Sequence, residues 1–194
     1  MATLGALDEV LFHIINRGLA QSWLDAPMMF ISSKYTWLTF AGVVLVAGVL
    51  SWRGRLLSLF LLLGITVGVT DLVTYQVVKP FVGRERPCRQ LSELRMVPIW
   101  CGGDYGMPSN HAANGMAVTV ILALNAPPLA AGLALALTLI TGFSRVYLGV
   151  HFPGDVLAGI MFGALVGFLC HHLFWWAVAL GRRMRRPGVG ADGS

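Results

Sequence analysis

Charge is scarce in this 194-residue sequence: only 12% of its residues are Asp, Glu, Lys or Arg, while 56% are hydrophobic. With a mean hydropathy of +0.72, so thin a polar complement does not fit a soluble globule. Acidic residues are the scarcer sign, nine against 14 Lys and Arg, and they form no cluster of carboxylates that would hold Mg²⁺. The resulting charge of +5 does not point to nucleic acid, because the basic residues sit in short loops and the tail and not along one soluble face. Orientation in a membrane and an anionic ligand account for them better. The N-terminal stretch lacks the basic start and long apolar run of a cleaved leader, carrying Asp8 and Glu9 instead. Internal repeats and low-complexity segments are absent beyond a bias toward Ala, Leu and Gly.

What is present is a series of apolar runs near the roughly 20 residues a helix needs to cross a bilayer. Spans are predicted at 27–50 (interrupted by Ser32, Ser33 and Lys34), 56–78, 109–125, 129–148 and 153–180. Ahead of them, Leu7, Val10, Leu11, Ile14 and Ile15 recur at helical spacing, which predicts an amphipathic helix lying in the interface. The expected fold is therefore all-α: a polytopic membrane bundle of about five transmembrane helices plus that N-terminal helix. Residues 1–187 are read as one domain and 188–194 as a disordered tail. The short basic turn SWRGR (51–55) and the tail carry Arg53, Arg55, Arg182, Arg183, Arg185 and Arg186, which place that side in the cytoplasm. The longest polar region, 79–107, then lies outside; its own Lys79, Arg84, Arg86, Arg89 and Arg95 are attributed to an anion site. Cys88 and Cys101 bracket this loop and either form a disulfide, if that side is oxidising, or stay free thiols. Cys170 reads as a small core residue, and Trp175 and Trp176 as an interfacial belt.

Three stretches concentrate polar groups where apolar runs end. SRVYLGVHFPGD (144–155) contains Arg145, whose fork of N–H donors suits a phosphate, and His151, which can attack or shuttle a proton near neutral pH. Asp155 can hold one ring nitrogen of His151 so that the other faces a substrate. KPFVGRERP (79–87) brings Lys79 and Arg86, with Pro80 expected to close the helix at Lys79. Such cations can be mere interfacial anchors. Asp71, Tyr75 and Lys79, spaced four apart, are expected to share a helix face turned toward a wet cavity, with Asp71 structural. GMPSNHAANG (106–115) offers Ser109 as helix N-cap and His111 in the first turn, where free N–H groups and the helix dipole attract anions. A lone His there would be an ordinary interfacial residue, as His13, His171 and His172 are read to be. Here it joins a second His, three cations and a helix terminus on one side of the membrane.

Together KPFVGRERP, PSNH and SRVYLGVHFPGD resemble, in order and internal spacing, the three-part signature of the PAP2 family, the type 2 phosphatidic acid phosphatase superfamily. That superfamily also contains glucose-6-phosphatase and vanadium haloperoxidases. One departure is Asn110, where the family usually has Gly; Asn tolerates unusual backbone angles better than most residues and keeps its N–H. The resemblance implies that Lys79, Arg86 and Arg145 clamp the phosphoryl oxygens, helped by Ser109 and the backbone N–H of Asn110. It implies that His151 attacks phosphorus to form a phosphohistidine, that Asp155 fixes its tautomer, and that His111 protonates the leaving oxygen and later activates water. No metal and no other cofactor is implied. The implied substrate is a lipid phosphate within the bilayer: undecaprenyl diphosphate is favoured on size and layout, ahead of phosphatidylglycerol phosphate, phosphatidic acid or the lipid A phosphate. The implied location is the bacterial inner membrane, with the site facing the periplasm or cell exterior. Two other classes compete. A haloperoxidase-like oxidation would use the same oxyanion site, but those enzymes are soluble; a non-catalytic lipid-binding or transport protein would not need His111, His151 and Asp155 as a set.

Overall fold

The computed structural model describes residues 2–50, 54–95 and 101–184. Among them the regular structure is helical, and extended pairing is limited to an isolated antiparallel bridge between Glu85 and Tyr105. Helix α1 (Ala2–His13) runs into a π-helical turn, Ile14–Gly18, and is followed by α2 (Ser22–Ser32) and α3 (Lys34–Leu50). Helix α4 (Gly54–Val73) continues through a second π-helical turn, Thr74–Val78, into α5 (Lys79–Val82). A single turn, α6 (Pro87–Gln90), precedes α7 (Asn110–Asn125), α8 (Pro128–Tyr147) and α9 (Pro153–Met184).

The stretches Leu56–Val82, Pro128–Tyr147 and Pro153–Met184, of 27, 20 and 32 residues, are long and apolar enough to cross a membrane. Leu129, Leu133, Leu157, Met161 and Leu165 are exposed on them, a surface suited to lipid. Helix α7 has 16 residues and so reaches about 24 Å.

Two predicted spans are built differently from expectation. The 27–50 run is two helices, parted at Ser33, whose backbone is extended with ψ 127. The Ser33 hydroxyl accepts the N–H of Tyr35 at 3.2 Å, so it caps α3 instead of continuing α2. Thr36 and Trp37 donate to the carbonyls of Phe30 and Ile31 at 2.8 and 2.7 Å, taking up acceptors that the break leaves free. The second difference is at Pro80, which does not end its helix. Proline has no N–H to give and its ring crowds the preceding turn; the wider π-helical turn just before it absorbs both, and the chain stays helical to Val82. Gly83, at φ 64, then stops the helix, its N–H donating to the Lys79 carbonyl at 2.9 Å. Arg53, most of the SWRGR turn, Arg185, Arg186 and residues 188–194, with the boundary at 187, lie outside the described residues, as do the side chains of Lys34 and Arg55.

The packing that positions the site is between α7 and α9. Gly159, Gly163 and Gly167, four apart, line one face of α9. A methyl group on Gly163 would lie 2.1 Å from the Ala113 carbonyl oxygen, and one on Gly159 2.6 Å from that of Ser109. The two backbones touch because these positions have no side chain, the close approach that small residues permit inside membranes. As a result the start of α7 abuts the start of α9, and the Ser109 N–H donates to the Asp155 carbonyl at 2.9 Å.

Candidate active site

Between α8 and α9 the chain makes a tight turn in which Gly149 takes φ 78, a conformation side chains disfavour. The turn aims His151 inward, where it is 1% exposed. Asp155 follows in the first turn of α9, fully buried, and its Oδ2 accepts the Phe152 N–H at 3.0 Å and faces His151 Nδ1 at 3.3 Å. On the other side of the ring, Arg86 Nη1 lies 3.1 Å from Nε2. A guanidinium can only donate, so Nε2 is the acceptor and Nδ1 carries the proton given to Asp155. Burial, then the fields of Arg86, Arg145, Lys79 and His111, push His151 well below the ordinary 6.5. The ring is neutral, with its basic nitrogen turned to the cations.

Those cations come from three separate helix ends. Lys79 is 4% exposed and donates to the carbonyls of Tyr105 and Gly106 at 3.0 and 3.3 Å. Arg86 is 7% exposed and donates to the carbonyls of Gly103 and Val150 at 2.8 and 3.2 Å. Arg145, at the end of α8, grips the Ser32 hydroxyl and carbonyl through Nη1. The segment 102–106 that supplies three of these carbonyls is tied down by a disulfide between Cys88 and Cys101, with Cα atoms 6.3 Å apart, and by Arg89 on Asp104 at 3.0 Å. Gly102, at φ 92, lets this segment pass beside Arg86: an added methyl would come within 3.2 Å of the guanidinium carbon. Of the two alternatives open for the loop cysteines, the structure has the bond; Cys170 is free.

The third stretch begins α7. Ser109 is its N-cap by position but makes no side-chain capping bond, contrary to the expected role. Its hydroxyl is instead buried without a partner, and so is Arg145 Nε. Asn110 has an explanation: its amide donates to Asp71 at 2.8 Å, joined by Asn114 at 3.2 Å, so the side chain bridges α7 to α4 and leaves its backbone to the helix start. His111, in the same turn, lies against the backbone of Ser32.

All eight predicted site residues, Lys79, Arg86, Ser109, Asn110, His111, Arg145, His151 and Asp155, therefore converge at one end of the bundle. Of the face read from Asp71, Tyr75 and Lys79, Lys79 is buried whereas Asp71 and Tyr75 are exposed; Asp71 accepts the amides of Asn110 and Asn114. His171 bonds with Asn125 at 3.0 Å at the opposite end, with the His172 ring edge-on to it. Three contributors went unassigned in the sequence. Ser32 was visible only as a polar interruption of an apolar run. Arg84 donates to Asp155 Oδ1 at 3.1 Å and to Asp8 at 2.5 Å. The sequence places it among the loop cations of an anion site without assigning it to Asp155; for Asp8 the sequence carries no signal. Chemically the arrangement offers a neutral imidazole nitrogen beside three cations and a helix start, equipment for attack on a tetrahedral oxyanion.

The PAP2 superfamily model matches residues 55–179. The chain is 27% identical over 178 residues to a lipid A 4'-phosphatase of Bacteroides thetaiotaomicron, covering 88% of this chain and 78% of that one. It is 28% identical over 165 residues to an undecaprenyl-diphosphatase of Sulfolobus acidocaldarius, covering 82% and 74%. A transmembrane PAP2-type phosphatidylglycerolphosphate phosphatase from Bacillus subtilis has a similar crystal structure, with TM-score 0.70, 25% identity and coverage of 89% and 87%.

Proposed function

The chain belongs to the PAP2 superfamily, and from that premise we propose that it hydrolyses a membrane-lipid phosphate through a covalent phosphohistidine at His151. The observation that carries the proposal is the orientation of the His151 ring, with Nδ1–H on Asp155 and the Nε2 lone pair beside Arg86. A phosphoryl oxygen entering the cup takes the Arg86 N–H and leaves that lone pair facing phosphorus. Nε2 attacks, the P–O bond to the lipid breaks, and His111 gives its proton to the departing oxygen. The ring then carries a positive charge that Asp155 balances. In the second half, His111 takes a proton from water, the water oxygen bonds to phosphorus, and the P–N bond breaks to release inorganic phosphate and restore neutral His151. Lys79, Arg86, Arg145, the Ser109 hydroxyl and the Asn110 N–H hold the equatorial oxygens throughout.

A polyprenyl diphosphate is the substrate favoured here. A terminal phosphoryl group alone carries about −1.5 to −2 at neutral pH, and a diphosphate adds a further charge. Lys79, Arg86 and Arg145 bring three basic groups with no carboxylate in ion-pair contact among the described residues. Lipid A and phosphatidylglycerol phosphate, named in two relatives, are the competitors. We infer that the site faces the periplasm or cell exterior from the inner membrane; the basic Arg182 and Arg183 in the last turn of α9, read as the cytoplasmic end, support that reading.

The test is phosphate release by detergent-solubilised protein over a panel of lipid diphosphates and monophosphates. Turnover insensitive to EDTA, blocked by vanadate, fastest on the polyprenyl diphosphate and lost in His151→Ala is expected. A His151→Ala protein that turns over like wild type removes the covalent mechanism; a monophosphate preference removes only the choice of lipid.

A further inference from the structure

The pair formed by His151 and Asp155 does not end at the carboxylate. Asp155 Oδ1 accepts from Arg84 Nη1 at 3.1 Å, and Arg84 Nη2 donates to Asp8 Oδ2 at 2.5 Å. Asp8 Oδ1 also accepts the backbone N–H of Gly154 at 2.7 Å, one residue before Asp155. Asp8 belongs to α1, outside the residues 55–179 that the family model matches. Its side chain is only 12% exposed, and that of Arg84 26%. The fit is close on every side. The Arg84 guanidinium lies 4.3 Å over the Phe152 ring, and Phe12, one helical turn beyond Asp8, packs its own ring 5.4 Å from Phe152. A methyl group on Gly154 would sit 2.7 Å from Asp8 Oδ2.

We propose that Asp8 is a positioning residue for His151, acting through Arg84 and the start of α9 to keep Asp155 available to the imidazole. This rests on the reading of His151 as the attacking group. The physical reason is a competition for one carboxylate. Arg84 alone would draw the charge of Asp155 toward itself and away from Nδ1. Asp8 neutralises Arg84 from the far side, so the string Asp8, Arg84, Asp155 carries one net negative charge. That charge is what the imidazolium formed on phosphorylation requires. Without Asp8 the string is neutral, and the phosphorylated ring stands uncompensated beside Lys79, Arg86 and Arg145. The loss is felt after binding, since Asp8 lies behind the histidine and away from the phosphate.

Three variants test this, with steady-state phosphate release and thermal melting in detergent read side by side. Asp8→Asn is expected to lower kcat by roughly tenfold or more, in the range that removal of an outer hydrogen-bonding partner produces at metal sites, while KM changes by less than about twofold. Asp8→Glu, which keeps a carboxylate for Arg84, is expected to retain most of the wild-type kcat. Gly154→Ala leaves Asp8 intact but displaces its carboxylate, and is expected to show the same fall in kcat with KM held; it serves if Asp8→Asn does not fold. An Asp8→Asn protein with wild-type kcat overturns the proposal, as does one whose kcat, KM and melting temperature all worsen together and are not restored in Asp8→Glu. His151→Ala in the same assay separates the two readings: if that variant is active, the mechanism itself has failed, whereas an inactive His151→Ala beside an undamaged Asp8→Asn rejects the Asp8 role alone.

Discussion

Removing the Ser109 hydroxyl should damage activity without damaging the fold, and the sign of the stability change is the informative part. A serine at a helix N-cap ordinarily stabilises its helix through its side chain, and replacement by alanine costs about 0.5–2 kcal/mol. Ser109 occupies that position but makes no capping bond, and its oxygen is buried with no partner in the chain. A buried hydroxyl left unsatisfied costs about 1–3 kcal/mol, so Ser109→Ala removes a liability and should leave the melting temperature unchanged or raised. In the proposed phosphate complex the same hydroxyl would donate to a charged oxygen, an interaction of about 1.5–3 kcal/mol. Its loss should lower kcat/KM by roughly 10- to 150-fold at about 1.4 kcal/mol per factor of ten. Phosphate release and a detergent melting curve, run on one preparation of Ser109→Ala, supply both numbers. A melting temperature that drops while kcat/KM stays within twofold would falsify the assignment and return Ser109 to ordinary capping.

Two further outcomes follow from the site's surroundings. Because His151 is held well below 6.5, it stays neutral and able to attack at pH values where a free imidazole is protonated, so the acid limb it controls in kcat/KM should fall clearly below 6.5. The stability consequence has a definite sign. Below 6.5 the unfolded chain binds a proton that the folded chain refuses, so this histidine makes the fold less stable as pH falls and contributes no pH dependence above that range; a melting temperature that rises on mild acidification would contradict its burial as a neutral group. Reducing the disulfide, or substituting Cys88→Ser, should cost both stability and turnover. Closing a loop of this length is worth about 3 kcal/mol, and the segment it restrains carries the carbonyls that hold Lys79 and Arg86. Cys170→Ser, measured alongside, should change neither quantity.

The parts of this site legible in the sequence are those where residue type carries the cost of its position. Arg86, Arg145, His111 and His151 stand at the ends of apolar runs, where a polar group needs a reason, and alternating helix directions bring those ends to one side. The parts that were not legible depend on groups every residue has. Nothing in the side chains of Gly103, Tyr105 or Gly106 announces that their carbonyls will hold cations. The π-helical turn at Thr74–Val78, which carries the helix past Pro80, leaves no pattern of its own in an apolar run. Asp8 meets Arg84 across 76 residues, a separation over which local periodicity says nothing. Ser33 is intermediate: a hydroxyl in an apolar run is visible, but whether it bonds within the helix or caps a new one is decided by tertiary contacts.

How each cation is held separates the basic residues near the site. Arg84, Arg89 and Arg95 each rest against a carboxylate, of Asp8 and Asp155, Asp104 and Asp25 respectively. The bond from Arg95 holds the Asp25 carboxyl below its usual range. Lys79, Arg86 and Arg145 are held by neutral oxygens and, for Arg86, by a ring nitrogen. The difference matters for a ligand. Opposite charges 4 Å apart attract by about 4 kcal/mol at an effective dielectric of 20, so a phosphate approaching a carboxylate-paired arginine must displace or share that partner. Carbonyl dipoles fix a cation's direction and satisfy its N–H groups while leaving its net charge uncompensated. Three cations oriented in this way repel one another and are costly to keep together, which is a reason for the disulfide and for the seam of glycines between α7 and α9. That cost is relieved when a multiply charged anion enters, and relieved most as negative charge accumulates on the oxygens during transfer. Under the proposed mechanism, neutral scaffolding around the cations is what would allow the same three side chains both to bind the phosphate and to stabilise its reaction.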